Sequence, residues 1–390
     1  MGSSARLRAV ARWVAGGFIV GLWLTRKLWL GDRLYPLTPV WSGLPAVPDP
    51  VDHVVYYALI AVSVAILVAP KPRPWLAAAA ALYFSYSLFD QQRWVPFFNE
   101  IGALLLVLAA HDWRSTERER TDGALDTCGT VIALIYLWSG IQKLNYNFVD
   151  RVGPWMLRPF LPESLMAHAW WLSFPMLLVE IGLCPLLFFR RTRSLGIVLA
   201  IGMHAFILLS AGPLGNDGNV QVWFWNIVSI ALVLLVFRGN ERGPSAFLAT
   251  PAFPLQRLAV AFFGVMPIFN FVVIEPLGRW DDFQAATLYS GNESDGVVDL
   301  SNEDFERLPP LIQGAVWEME DGTNMLKLRD WAYAELNVPD YHAFRVHRNA
   351  ARTLCRMLDD SPTLRFRASA KSDPFTGERE WREVGCGELR

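Results

Sequence analysis

Leu137-Trp138-Ser139-Gly140-Ile141-Gln142-Lys143-Leu144-Asn145 closes an apolar run that begins near Leu125. A run of roughly 18–20 residues crosses a bilayer as a helix. This one places an amine in its last turn and continues into the polar, aromatic Asn145-Tyr146-Asn147-Phe148. On a 3.6-residue period, Tyr136, Ser139, Gly140 and Lys143 share one face. That face is small and polar, so a neighbouring helix or a ligand can approach Lys143 closely. The plainer alternative is a lysine that snorkels to the lipid headgroups.

The rest of the chain has the same character. Of its 390 residues, 53% are hydrophobic and only 18% charged, against about 45–50% and about 25% in a soluble domain. The excess is grouped into bilayer-length runs, which makes this a polytopic membrane protein. Nine spans are expected, near 9–30, 54–70, 75–89, 95–111, 125–143, 170–189, 194–212, 220–237 and 256–277. Arg26 and Lys27 mark the outer end of the first span or an inward polar patch. The N-terminal run exceeds signal-peptide length and lacks a small-residue cleavage site, so it reads as a retained span.

Arginine and lysine clusters set the orientation. Arg6, Arg8 and Arg12 precede span one; Lys71 and Arg73 follow span two; Arg114, Arg118 and Arg120 follow span four. Arg190, Arg191 and Arg193 follow span six, and Arg238 and Arg242 follow span eight. These are alternate loops, so the reading puts the N-terminus in the cytoplasm and the C-terminal tail outside the cell (inner) membrane. Lys143 then lies on the external side.

Residues 1–277 form the expected transmembrane domain, and residues 278–390 an extracytoplasmic α+β domain. In the latter, Ala315–Leu328 alternates apolar and polar residues around Asp321-Gly322, a hairpin pattern. Tyr341–Leu358 reads as an amphipathic helix after Pro339-Asp340. Leu364–Ala370 and Glu380–Val384 flank a Pro-Phe-Thr-Gly turn and read as a second hairpin. Cys355 and Cys386 can pair if this part faces an oxidising compartment, whereas Cys128 and Cys184 read as buried hydrophobes. Without CxxC or Cys/His spacing no metal is expected, and without a basic, aromatic-interleaved run no nucleic acid is expected.

Ionisable groups inside apolar spans are site candidates by default, because lipid makes them costly. Glu180, His204 and Asn226 fall in the outer half of the bilayer or near mid-depth, on the same side as Lys143, His204 about 12 Å from its helix end at 1.5 Å per residue. Each also has a structural reading: Glu180 paired with a base, His204 and Asn226 bonded to a neighbouring helix. Asp90 is expected to pair with Arg93, and Trp223 and Trp225 to be interface or core aromatics. A desolvated lysine can serve as a neutral base, and an apolar bundle around it suits a lipophilic substrate such as a quinol. The candidate catalytic residues are therefore Lys143 and His204; the candidate substrate-binding residues are Glu180, Asn226 and Tyr136.

Ser139-Gly-Ile-Gln-Lys-Leu-Asn-Tyr-Asn-Phe-Val-Asp150 resembles the segment around the catalytic lysine of the vitamin K-dependent gamma-carboxylase family and the bacterial horizontally transferred transmembrane (HTTM) domain proteins. Leu88-Phe-Asp-Gln-Gln-Arg-Trp94, Arg193-Ser-Leu-Gly-Ile197 and Met203-His-Ala-Phe206 are similar in the same order. The resemblance covers 54–237 and implies for Lys143 the role of a base that deprotonates a vitamin K-like hydroquinone. In the family, oxygenation with O2 then yields a strong base that abstracts the γ-proton of a protein or peptide glutamate, which captures CO2, a carbon-carbon lyase-type activity. The family's site faces the lumen, in agreement with the external side assigned to Lys143. Where the animal carboxylase has a much larger lumenal region that grips a propeptide, this chain has only residues 278–390. The rival reading is a non-catalytic membrane scaffold, immunity or assembly factor that binds a partner through its external domain. A transporter is less favoured, since neither an inverted repeat nor paired broken helices are seen.

Overall fold

The computed structural model describes residues 2–45, 47–115, 117–216, 218–265, 267, 282–287 and 289–389. Its first part is a helical bundle: α1 (Ser3–Leu24), α2 (Val51–Val68), α3 (Arg73–Ser87), α4 (Pro96–Ala110), α5 (Arg118–Gln142), α6 (Ala169–Phe188), α7 (Arg193–Ala211), α8 (Val220–Phe237) and α9 (Pro254–Gly264). Among the described residues, six of these are long and apolar enough to cross a bilayer: α1, α2, α5, α6, α7 and α8. Helices α3 and α4 have 15 residues each. Half of the expected span 256–277 lies outside the described residues.

Peripheral and central helices differ sharply. In α5, 78% of the apolar window is buried, against 28% in α2 and α7. Val54, Tyr57 and Val68 on α2 and Leu195 and Val198 on α7 are all exposed. Stripes of that size are unfavourable in water and cost nothing against acyl chains. The bundle is that of a multi-pass membrane protein with α5 at its centre.

The two ends of the bundle are chemically distinct. At one end, arginines cap helix C-termini: Arg6 donates to Leu235 O and Val236 O (2.9 and 2.7 Å), and Arg193 to Leu187 O and Phe188 O (2.7 Å each). Arg242 pairs with Asp126 there at 2.9 Å. At the other end sits the sheet domain.

Its five strands are β1 (Gly296–Leu300), β2 (Val316–Glu318), β3 (Asn324–Lys327), β4 (Arg365–Ser369) and β5 (Trp381–Gly385), in the order β2-β3-β1-β4-β5 with every pairing antiparallel. Helices α10 (Leu328–Leu336) and α11 (Phe344–Met357) cover it. Leu326, Phe366, Trp331, Val346 and Leu354 form its core. Asp321-Gly322 lies in the β2–β3 turn, Gly322 at φ +79°. Cys355 and Cys386 form a disulfide, and Cys128 and Cys184 are buried and free.

Polar side chains key this domain onto the bundle. Both Glu335 carboxylate oxygens accept from the backbone, Leu34 N at 2.5 Å and Tyr35 N at 2.8 Å. Asn337, in the left-handed region at φ +57°, donates to Leu24 O at 3.1 Å and accepts from Asn219 at 2.8 Å. Gln92 grips the backbone on both sides of Asp340, donating to Pro339 O and accepting from Tyr341 N. Asp90 does not form the ion pair with Arg93 that the sequence suggests. It binds Arg33 at 2.5 Å, while Arg93 donates to Tyr86 O and Leu28 O. Lys27 pairs with Asp32 beyond the end of α1, which stops at Leu24, so the first span ends before these charges.

Candidate functional site

Two close glycine contacts bring the site together. A Cβ on Gly140 would lie 2.7 Å from Ile181 N, so α5 and α6 approach almost backbone to backbone. That approach carries Lys143, which follows the last residue of α5, onto Glu180 of α6. Lys143 Nζ lies 2.9 Å from Glu180 Oε2 and 3.0 Å from Oε1, 2.7 Å from Ser139 Oγ and 3.3 Å from Ser139 O. These acceptors saturate the three donors of an ammonium. Lys143 is 7% exposed, so it is not a snorkelling side chain. Further on, a Cβ on Gly153 would sit 2.1 Å from Ser173 Oγ, which pins the segment after Lys143 against α6.

A second chain of bonds joins α5, α7 and α8. Tyr136 OH lies 2.7 Å from His204 Nε2, and His204 Nδ1 lies 2.7 Å from Asn226 Oδ1. Asn226 Nδ2 donates to Val222 O at 2.6 Å, which orients its amide and leaves Oδ1 as the acceptor. His204 therefore carries its proton on Nδ1, and Nε2 is the position that accepts from Tyr136 and can change protonation. With its proton committed to His204, the Tyr136 oxygen offers lone pairs.

All five residues selected from the sequence line one cavity of about 480 Å³, together with Ser139, Met156, Met203, Phe206 and Trp225. Its walls are otherwise apolar. Pro175, Val198 and Gly202 form part of the lining and are exposed, so the cavity opens sideways between α6 and α7, on the lipid-facing flank. Volume and lining match those of a small-molecule site with a few convergent polar groups.

Glu180 meets Lys143 with both oxygens, and Asn226 holds His204 through Nδ1, so each also positions a neighbour in the cavity. Glu100 is absent from the sequence-derived set, although an acid inside the apolar stretch 95–111 meets the same rule that selects Glu180. It is buried and accepts from Trp225 Nε1 at 2.9 Å, holding that indole in the cavity wall. Trp225 is thus a site residue, whereas Trp223 donates to Ala211 O.

A second, polar cavity of about 1190 Å³ lies between the helix ends and the sheet domain and shares Tyr289 with the first. Tyr289 stacks on Trp155 with ring centroids 6.2 Å apart, and burial pushes its phenol up to about 12. Asp340 and His342 line this cavity, and His347 Nε2 lies 2.6 Å from Asp340 Oδ2. Burial opposes ionisation of Asp340, yet the His347 and His342 imidazoles hold its carboxyl below the usual range. No family model matches the chain, and no curated protein or solved structure matches it.

Proposed function

We propose that the protein is a membrane enzyme in which Lys143 and Glu180 together act as a base toward a lipophilic, quinol-like substrate. The carrying observation is that Lys143, Glu180, His204, Asn226 and Tyr136 line a single apolar cavity with a lateral opening between α6 and α7. A substrate dissolved in the bilayer enters such an opening without crossing water. In this reading nine spans place the N-terminus in the cytoplasm and the sheet domain outside. The gathering of arginines at the bundle end opposite the sheet domain supports that orientation.

The chemistry follows from the contacts. For Lys143 to accept a proton, the one it holds first passes along Nζ–H···Oε to Glu180. That leaves an amine beside a carboxylic acid with no change in net charge, which suits a site that excludes water. The amine then takes a hydroxyl proton from the substrate, and the pair as a whole gains one proton. Tyr136 and His204 Nε2 offer a second acceptor path for a substrate with two hydroxyls. The likeness of Ser139–Asp150 to the gamma-carboxylase lysine segment supports the same role for Lys143, with O2, CO2 and a glutamyl chain as the further reactants of that chemistry.

The test is anaerobic titration of the protein in nanodiscs with a reduced naphthoquinone, reading the absorption of the quinol and its anion. Wild type binds and shifts the spectrum toward the anion; Lys143→Arg binds without the shift, because a guanidinium does not give up its proton. Absence of binding, or a Lys143→Arg protein that matches wild type, removes the enzyme reading and favours a scaffold. Maleimide labelling of Glu320→Cys from outside cells and of Arg118→Cys only after permeabilisation checks the orientation.

A further inference from the structure

Phe375 is the most exposed large apolar side chain among the described residues, at 87%, and it lines neither cavity. It is not on a loose loop. Asp373 Oδ1 accepts from Phe375 N at 2.9 Å and Thr376 N at 2.8 Å, and Gly377 N donates to Asp373 O at 2.9 Å. Gly377 closes the turn at φ +73°, a conformation that favours glycine. A well-bonded turn that holds a phenyl ring almost fully clear of protein points to something outside the protein that receives it.

The position of the turn indicates what that is. Tyr146 N donates to Pro374 O at 2.7 Å, and a Cβ on Gly377 would lie 2.5 Å from the Tyr146 ring, so the turn is sealed onto the segment after Lys143. That segment is tied to α6 on both sides, where Gly140 abuts Ile181 and Gly153 abuts Ser173. Ser173 is four residues inside the α6 N-terminus, about 6 Å along its axis at 1.5 Å per residue. Trp170, Trp171 and Phe174 are exposed at this helix end, the aromatic belt of a bilayer surface. The Pro374 carbonyl is therefore bonded to a residue four positions beyond Gln142, the last residue of the spanning helix α5, and the next residue is Phe375.

We propose that the Asp373–Gly377 turn inserts the Phe375 ring into the acyl–headgroup boundary of the leaflet on the sheet-domain side, making lipid a direct contact of that domain. The inference is independent of the quinol reading. It rests on the bilayer as partner because the exposed ring is carried by a turn bonded just beyond the end of the spanning helix α5, the region where aromatic side chains favour the interface.

The test is a nitroxide at Phe375→Cys, in full-length protein carrying Cys128→Ala and Cys184→Ala, in nanodiscs of phosphatidylcholine and phosphatidylglycerol. Relaxation by O2, which concentrates among acyl chains, is compared with relaxation by a water-soluble nickel chelate. Val198→Cys on α7 is the lipid reference, and Glu320→Cys in the β2–β3 turn the water reference. The expected O2-to-nickel ratio at 375 is several-fold above that at 320 and approaches that at 198, while Thr376→Cys, which lines the polar cavity, stays near the water value. A ratio at 375 equal to that at 320 or at 376 overturns the proposal. Native-like melting of each labelled variant is required, and the exposure of the site makes that the expected result.

Discussion

Glu180→Gln is the substitution that probes the centre of the site most directly. Lys143 Nζ lies 2.9 and 3.0 Å from the two Glu180 oxygens, with side-chain exposures of 9% and 14%. At an effective dielectric of about 20, opposite unit charges about 3 Å apart attract by about 5–6 kcal/mol. Glutamine keeps the shape and one acceptor, worth about 1 kcal/mol net. The shortfall of about 4 kcal/mol falls within the 3–5 kcal/mol usual when one partner of a buried pair is removed. Removing both charges, as in Lys143→Met with Glu180→Met, leaves no stranded ion and is expected to cost about 1 kcal/mol or less. The double variant should therefore cost several kcal/mol less than the sum of Lys143→Met and Glu180→Met made singly, which is the coupling a double-mutant cycle reads. Cys128 and Cys184 are buried and free, so a thiol-reactive dye reports unfolding without an added label. Glu180→Gln should melt several degrees below wild type and the double variant close to it. A single variant that melts within a degree of wild type, or a double variant as unstable as the sum of its parts, refutes the ion-pair account.

Gly140→Ala should lower the melting point by the equivalent of about 1–3 kcal/mol, because its Cβ meets the Ile181 backbone; Gly202→Ala, with nothing within 4 Å, should be neutral or slightly stabilising in the same assay. Replacing Cys355 and Cys386 by Ser opens a link spanning 31 residues, a loss of about 3–4 kcal/mol by loop entropy; non-reduced mass spectrometry of wild type should find both thiols blocked. Asp340, held below its ordinary 3.8, contributes stability that is complete above that value and lost as pH falls through its lower folded value. Denaturant midpoints of the whole protein should hence be flat down to about pH 5 and fall below pH 3.8, and Asp340→Asn should be weaker at pH 7 with a shallower acid limb. An unchanged acid limb in Asp340→Asn would assign it to other carboxylates.

Much of the architecture is legible from local pattern. Bilayer-length apolar runs mark the long helices to within a few residues, as at Val220–Phe237, because hydropathy and helix length are properties of consecutive residues. The hairpin around Asp321-Gly322 and the α11 amphipathic stripe are visible for the same reason. Charges inside apolar runs stand out against lipid, which is why Lys143, Glu180 and His204 are found by eye; Glu100 stands out equally and belongs with them.

What consecutive residues leave open is which groups meet. Glu180 lies 37 positions from Lys143 and Asn226 lies 22 from His204; their meeting depends on the order and rotation of α5, α6, α7 and α8. Asp90 takes Arg33, 57 positions away, rather than its near neighbour Arg93. Gln92 looks unremarkable in a polar hexapeptide and becomes a latch once Tyr341 arrives, 249 positions on. The sequence by itself determined a membrane bundle with a basic end, a sheet domain and a set of costly buried polar groups. Tertiary packing alone decided that five of those groups share one cavity, because helix rotation is chosen by close contacts such as Gly140 on Ile181, and those involve residues that the chain keeps far apart.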